Sequence, residues 1–259
     1  MLNEALTLLP FFLLVLIRLT AFFLIAPLFA MRGVPTQFKV GIAAFLALIA
    51  TTTWAPETAL VIDGGYTLLI FKELAVGLAL GFTAALLLYA VQIAGSFIDF
   101  QMGFAIANVL DPQTGAQVPI IGQFKYTLAL LFLLTVNGHH MMLDGVMQSL
   151  RSLPPEEFLS VAPEAIARFM TDLFVEMFII AFQISLPIVA SLFLIDVALG
   201  ILAKTVPQLN IFAVGLPLKI FVGFVLLLLT MTVFFYLLQI LFDKMMVSMG
   251  ELISLLGGG

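Results

Sequence analysis

Apolar runs occupy most of the chain, and short polar or proline-containing stretches separate them. Six runs are long enough to cross a bilayer as helices, and three of them reach about 32 residues, or roughly 48 Å against a hydrocarbon core of about 30 Å. Pro187 in the fifth run and Pro217 in the sixth predict local kinks. The pattern predicts an all-α membrane protein of about six long, partly kinked helices. The runs lie near residues 8–31, 38–55, 67–98, 124–142, 172–203 and 210–242.

The first run does not have the layout of a signal peptide. Glu4 is the only charged residue ahead of it, and the first basic residue, Arg18, lies inside it. The run also lacks a clear cleavage site made of small residues. We therefore expect it to be a retained membrane span.

Three of the predicted helices carry a charged residue with glycine four positions away. Residues four apart lie on one helix face, and glycine there allows a neighbouring backbone to approach closely. A charge inside an apolar helix requires a protein partner or trapped water. We expect these faces to pack against protein, some of it in other chains. The three sets are Glu73, Gly77 and Gly81; Asp196, Gly200 and Lys204; and Gly215, Lys219 and Gly223.

Acidic residues inside the predicted helices have two interpretations. They could relay protons, as buried acids do in transporters, or form structural ion pairs, for instance Asp196 with Lys219 across a helical hairpin. The sequence favours structural pairing. Lys72 and Glu73 are neighbours and so are not expected to pair along one helix face. The acids concerned are Glu73, Asp99, Glu176 and Asp196.

The third connection, residues 99–123, differs from the other connections. It is too apolar for an ordinary solvated loop and too interrupted by glycine and proline to be a spanning helix. Irregular backbone at membrane depth survives only when it is buried in protein or lines an aqueous cavity. The segment is therefore a candidate pore-lining or pore-blocking element, in which Met102 and Phe104 could seal a closed pore. The alternative is an interfacial loop that rests on the bilayer surface.

The fourth connection, residues 151–171, is the most polar stretch of the chain. Pro163 is suited to the first turn of a short amphipathic helix in which Glu164 and Arg168, four apart, can pair. We expect this helix to be a surface connector.

Composition narrows the possible functions further. Hydrophobic residues make up 63% of the 259-residue chain, which places it outside the usual composition of soluble domains. The net charge of -5 argues against nucleic-acid binding, and the lack of cysteine excludes thiolate metal ligands and thiol nucleophiles. The common sequence marks of enzymes and nucleotide sites are missing. His139 and His140 are adjacent and diverge on a helix, so we expect a helix end there and neither a metal site nor a cofactor.

Several stretches together resemble the FliR family, the membrane protein of the flagellar type III export gate. The resemblance covers most of the chain, and the joint order of the motifs is specific although no single motif is decisive. The stretches are KELAVGLALGF at 72–82, DFQMGF at 99–104, the Asp111-Pro112 pair, NGHH at 137–140 and PQLNIFAVGLPLKIFVG at 207–223.

The resemblance implies a division into two parts. Residues 1–171 would be similar to FliP and would contain the loop 99–122, which in this family resembles a plug that closes the channel. Residues 172–259 would be similar to the helical hairpin of FliQ, with the turn at 204–210 near FlhB. The candidate plug residues are Met102, Gly103, Phe104, Val109, Leu110, Asp111 and Pro112.

The resemblance also implies a function in protein transport and flagellum biogenesis. The chain would be a non-enzymatic channel subunit of the type III secretion export gate, in the bacterial inner membrane at the flagellar basal body. It would assemble with FliP and FliQ and pass unfolded rod, hook and filament proteins, with energy supplied through FlhA and an ATPase. Two alternatives remain open: a proton-coupled small-solute transporter that uses Glu73 or Asp196, and a scaffold whose third connection never blocks a channel.

Overall fold

A computed structural model describes residues 2–31, 33–54, 60, 62–104, 119–159, 162–206, 208 and 210–257 of the chain. In these ranges every regular element is an α-helix, which confirms the predicted all-α class. The helices are α1 (Leu2–Ile25), α2 (Thr36–Trp54), α3 (Gly64–Met102), α4 (Ile120–Thr135), α5 (Gly138–Ser152), α6 (Pro163–Thr205), α7 (Ile211–Leu229) and α8 (Met231–Gly257).

Six of the described helices are long and apolar enough to cross a membrane, namely α1, α2, α3, α6, α7 and α8. Helices α4 and α5 are long and apolar enough only when they are taken together, and they are bent by 73° at the break between them. If this bent pair crosses the membrane as one span, the number of possible spans rises to seven. The prediction of about six long helices in a membrane protein is therefore confirmed.

Two of the predicted apolar helices are interrupted. The run at 124–142 was expected to be one helix, but it breaks at Asn137, which has a φ of 57°. Asparagine tolerates this left-handed conformation better than most residues. The run at 210–242 divides at Thr230, whose hydroxyl donates to the carbonyl of Leu226 over 2.8 Å. Such a bond from threonine back to the preceding turn often bends a helix.

The prediction of a short helix in the fourth connection is wrong. Pro163 does open a helix, but that helix is α6, which continues without a break for 43 residues to Thr205. The polar turn that carries Glu164 and Arg168 keeps the helical backbone of the apolar run that follows it. The connector therefore ends before Pro163, and no separate surface helix exists in the described part of this connection.

The helices form two compact units, each assembled from separate stretches of the chain. The first unit contains Met1–Leu86, Leu133–Phe174 and Phe242–Gly259. Helices α1 and α2 pack against each other in it, and the buried face of α2 is built from Ala43, Ala47, Ala50 and Thr51. Small side chains at this spacing let two membrane helices lie close together.

The second unit contains Leu87–Phe132 and Val175–Leu241. Its core gathers residues from the end of α3, the start of α4, the middle of α6 and the end of α7. The buried members of this cluster are Ile98, Met102, Ile121, Ile188, Leu192 and Leu227. The units are defined by packing, whereas the predicted FliP-like and FliQ-like parts concern sequence resemblance, and that division stays a prediction.

Candidate functional site

The first unit contains a fully buried ion pair that joins α1 to α3. Arg18 donates from Nε to Glu73 Oε2 over 2.5 Å and from Nη2 to Glu73 Oε1 over 2.7 Å, and neither side chain is exposed. This two-point contact matches the planar guanidinium to the carboxylate and is among the strongest hydrogen-bonded arrangements in proteins. It neutralises both charges inside an apolar bundle, where an unpaired charge is costly.

The remaining donors of Arg18 hold the carboxyl end of α5. Nη1 donates to the carbonyl of Ser149 over 2.8 Å, and Nη2 donates to the carbonyl of Leu153 over 2.7 Å. The last carbonyls of a helix carry partial negative charge, and that of Ser149 also accepts the N–H of Leu153 over 2.9 Å. Arg18 therefore joins three helices at one buried point.

Lys72 extends this buried cluster into the chain that follows α5. Its ammonium donates to the carbonyls of Pro154, Pro155 and Glu157 over 2.8, 3.1 and 2.9 Å, and it lies 2.7 Å from Glu73 Oε1. Lys72 and Glu73 therefore form an ion pair although, as neighbours, they do not share one helix face. Their Cβ atoms diverge, but the long lysine side chain reaches back to the carboxylate.

The glycine stripe that follows Glu73 packs against α1. A Cβ on Gly77 would overlap the backbone carbonyl of Arg18, and a Cβ on Gly81 would come within 2.9 Å of the carbonyl of Phe22. Backbone atoms cannot move aside as a flexible side chain can, so only glycine fits at these two positions. The stripe is thus a packing face within the chain itself.

The second unit contains the ion pair that the sequence predicted between Asp196 and Lys219. Lys219 Nζ lies 2.9 Å from Asp196 Oδ1, and Gln101 Nε2 donates to Asp196 Oδ2 over 2.7 Å. The Asp196 side chain is 41% exposed and that of Lys219 is 16% exposed. This cluster links the end of α3 to α6 and α7 and leaves one polar side open.

The other predicted packing residues of this unit differ in their surroundings. A Cβ on Gly223 would lie 2.6 Å from the terminal methyl of Met102, and a Cβ on Gly215 would lie 3.0 Å from Leu199 Cδ1. No described atom lies within 4 Å of a Cβ built on Gly200, and Lys204 is exposed. The face of Gly200 is therefore open to a neighbour outside the described part of this chain.

The candidate plug residues are described only at the start of their segment. Met102 is fully buried in the core of the second unit, Gly103 has a φ of 92°, and the Phe104 ring lies 6.4 Å from that of Phe224. Gly103 thus ends α3 in a conformation that favours glycine. The other four candidates, Val109, Leu110, Asp111 and Pro112, lie outside the described residues.

The far end of this segment returns to α3 at Asp99. The carboxylate of Asp99 accepts the N–H of Ile121 over 3.0 and 3.1 Å and the N–H of Gly122 over 3.2 Å. Phe104 and Ile121, described on either side of this segment, therefore both pack in the core of the same unit.

Comparison with known proteins agrees with this arrangement of long apolar helices. The family model for bacterial export proteins, family 1, matches residues 9–245. The chain is 54% identical over 256 residues to the flagellar biosynthetic protein FliR of Bacillus subtilis (strain 168), covering 98% of this chain and 99% of that protein. The chain belongs to the FliR family.

More distant relatives include both flagellar and secretion proteins. FliR of Escherichia coli (strain K12) is 29% identical over 246 residues, covering 92% of this chain and 91% of that protein. The Yop proteins translocation protein T of Yersinia pestis is 27% identical over 210 residues, covering 80% of each chain. FliR-family membership makes the chain a membrane-associated component of a type III export apparatus, on the flagellar side.

Sequence reasoning about this FliR-family chain missed two site residues, Arg18 and Gln101. Arg18 was noted only as a charge inside the first apolar run, and its partner Glu73 is 55 positions away. A lone arginine in a run of 24 mostly apolar residues was itself a signal that a buried carboxylate must lie nearby. Gln101 gave no such signal, because a neutral amide is far less costly to bury than a charge.

The histidine pair lies at the first turn of α5. The rings of His139 and His140 have centroids 4.1 Å apart at the start of α5, and no group of three potential metal ligands is found among the described residues. The pair lies at the start of a helix, as the sequence interpretation of a helix end requires.

Proposed function

We propose that this chain is a channel subunit of the flagellar type III export gate in the bacterial inner membrane. Its role is to help form the pore through which unfolded rod, hook and filament proteins leave the cell. The observation that carries the proposal is the 54% identity to a flagellar FliR over nearly the full length of both chains. The name of the Yersinia relative, a translocation protein, supports a role in moving protein across a membrane.

The geometry favours this function over a proton-coupled solute transporter. A proton-relay acid must be free to gain and lose a proton, whereas Glu73 is held by Arg18 and Lys72, and Asp196 is held by Lys219 and Gln101. Carboxylates fixed by cations serve structure better than proton transfer. In this proposal the chain acts without enzymatic chemistry of its own, and energy comes from other components of the gate, including FlhA.

The assembly places this chain beside FliP, FliQ and FlhB. The open face at Gly200 on α6 and the many exposed apolar residues of α6 and α7 support contacts with further chains in the bilayer. Native mass spectrometry of the protein co-expressed with its neighbouring gate proteins tests this point. We expect a complex with one copy of this chain and several copies of two smaller membrane proteins, and a stable monomer or homodimer would contradict the proposal.

The stretch that follows α3 closes the channel in this proposal, with Val109 and Leu110 among the sealing residues. Phe104 and Ile121 both bond to Asp99, so a short Gly-Ser linker suffices to replace residues 105–118. The deletion is expected to make proteoliposomes that contain the assembled complex leak potassium. A Gly-Ser segment of the original length is the control that separates loss of side chains from loss of length. An assembled deletion complex that stays tight would overturn the plug.

A further inference from the structure

The ammonium of Lys72 is surrounded by oxygen atoms inside the first unit. It donates to the backbone carbonyls of Pro154, Pro155 and Glu157 over 2.8, 3.1 and 2.9 Å, and it lies 2.7 Å from Oε1 of Glu73. The Lys72 side chain is only 6% exposed. We call these four oxygens the cation cage. An ammonium has three N–H donors, so four oxygens at these distances enclose the charge as ligands enclose an ion.

The three carbonyls of the cage belong to one tight turn after α5. The carbonyl of Pro154 also accepts the N–H of Glu157 over 3.2 Å, which closes the turn. The proline rings at 154 and 155 fix φ at two successive positions, so the turn has little freedom left to lose. Its backbone therefore holds the three oxygens close together, and the lysine supplies the charge between them.

The surroundings of the cation cage favour a positive charge and leave space beside it. Oε2 of Glu156 is buried and has no hydrogen-bond partner among the described residues. The negative charge of Glu156 also attracts the Lys72 ammonium. A cavity of about 140 Å³ adjoins the cage, and its lining includes Lys72, Pro154 and Glu157. Water molecules, each of which needs roughly 10–15 Å³, fit there and can give an ion in the cage further oxygen ligands.

The distances within the cation cage match a large monovalent cation. Calcium binds oxygen at about 2.3–2.6 Å and magnesium at about 2.0–2.1 Å, whereas the cage distances run from 2.7 to 3.1 Å. Backbone carbonyls are also the groups that replace the hydration shell of potassium in selective channels. Ammonium and potassium are similar in size, so the ammonium of Lys72 occupies the place that a potassium ion would fit.

We propose that the cation cage is a potassium-type binding site that the chain fills with its own lysine. The Lys72 ammonium serves as a tethered cation, which holds the turn after α5 against α3 whatever ions the solution contains. A free potassium or ammonium ion takes its place when the side chain is shortened and the cage is empty. This inference does not depend on the proposed channel function, because it concerns only contacts within the first unit.

The test measures the Tm of the full chain in detergent while the chloride salts of potassium, sodium and choline are exchanged at constant ionic strength. The fluorescence of Trp54 reports unfolding of the first unit, since the centroid of its ring lies 4.7 Å from Cζ of Arg151 in the last turn of α5. Lys72→Ala empties the cage, whereas Lys72→Met removes the charge but fills most of the space. Lys219→Ala is the matched control, because Lys219 bonds to the carboxylate of Asp196 and to no backbone carbonyl in the described ranges.

We expect potassium, compared with choline, to raise the Tm of Lys72→Ala but not that of the wild type, Lys72→Met or Lys219→Ala. Potassium at about ten times its Kd should stabilise the folded state about tenfold, which raises the Tm of a chain of this size by about 3–6 °C. Sodium, which is smaller than the cage requires, should raise the Tm less. A Lys72→Ala chain that is folded in potassium and unfolded in choline would support the proposal as well.

Three results would overturn it. One is a folded Lys72→Ala chain whose Tm is the same in potassium and in choline. Another is an equal effect of potassium on Lys72→Met or Lys219→Ala, which would assign the effect to general stabilisation by the salt. The third is a Lys72→Ala chain that stays unfolded in potassium while Lys72→Met folds, because the cage would then not accept a free ion.

Discussion

The two ion-pair clusters use the same chemistry in opposite surroundings. In the first unit, Arg18 and Glu73 are completely buried, and both side chains bond to protein groups. In the second unit, Asp196 and Lys219 remain partly exposed, and one side of the pair is open. Burial decides what each cluster can do, because a desolvated pair fixes a structure whereas a half-exposed pair can still meet water or another chain.

The glycine stripes of the two units differ as the ion pairs do, since one stripe is covered and part of the other is open. Gly77 and Gly81 are covered by the backbone of α1, whereas Gly200 has no described neighbour. The first unit therefore satisfies its special residues within the chain. The second unit leaves part of its charge and part of its glycine surface without a described partner in this chain.

The largest loss of stability is expected from removing Arg18, the arginine of the buried pair. Arg18→Met removes the two-point partner of Glu73 and the donors to the carbonyls of Ser149 and Leu153, and it leaves Lys72 beside the carboxylate. Loss of one member of a buried pair costs about 3–5 kcal/mol. We expect little folded protein in the membrane and a strongly lowered Tm, read from the fluorescence of the single tryptophan, Trp54.

The double variant Arg18→Met with Glu73→Met sharpens this prediction. It removes both members of the Arg18–Glu73 pair, whereas Lys72 keeps its bonds to the carbonyls of Pro154, Pro155 and Glu157. The double variant should recover part of the lost stability, because apolar replacements of a buried pair are often close to neutral. Recovery would assign the cost to the carboxylate that loses its guanidinium partner. No recovery would assign it to the bonds that Arg18 makes at the end of α5.

The glycine stripes give the next largest contrast, between Gly77→Ala and Gly200→Ala. The added methyl at Gly77 meets the backbone of α1, and overpacking of this kind costs about 1–3 kcal/mol. Gly200→Ala meets no described atom and should leave the Tm of the purified chain unchanged or slightly raised.

Gly200→Ala is expected to affect assembly of the complex more than stability of the isolated chain. If another chain packs on this face, Gly200→Ala should reduce the yield of the complex in co-purification while the isolated chain stays folded. Equal yields of wild-type and Gly200→Ala complex would show that the face contacts lipid. The test thus distinguishes an interface from an exposed surface without disturbing the core.

Hydropathy alone predicted most of the fold but not its breaks. Long apolar runs must form helices in a bilayer, because the backbone has no other way to satisfy its polar groups there. The breaks at Asn137 and Thr230 follow from local conformation and single hydrogen bonds, which leave little trace in an apolar pattern. The short helix expected at Pro163 was wrong because a polar first turn does not say where a helix ends.

The candidate site was predictable only where partners are close in sequence. Asp196 and Lys219 face each other across a hairpin, so their pairing could be predicted. Arg18 and Glu73 meet only because α1 packs on α3, and that packing is a property of the tertiary fold. The cap from Asp99 to Ile121 was hidden for the same reason, since the sequence shows an acid but not the helix start beside it.

The smallest loss of stability in the isolated chain is expected from substitutions in the half-exposed pair of Asp196 and Lys219. Asp196→Asn keeps a side chain that can accept from Gln101, and partly exposed ion pairs contribute only about 0–1 kcal/mol. Lys219→Met should cost little more, so the Tm of either variant should lie close to wild type.

The complex provides the sharper measurement, because the open side of Asp196 can bond to a second chain there. If Asp196→Asn lowers the yield of complex while its Tm stays normal, the charge serves assembly. If yield and Tm are both normal, the pair only neutralises two charges in the hairpin, and the contrast between the two units is one of burial alone.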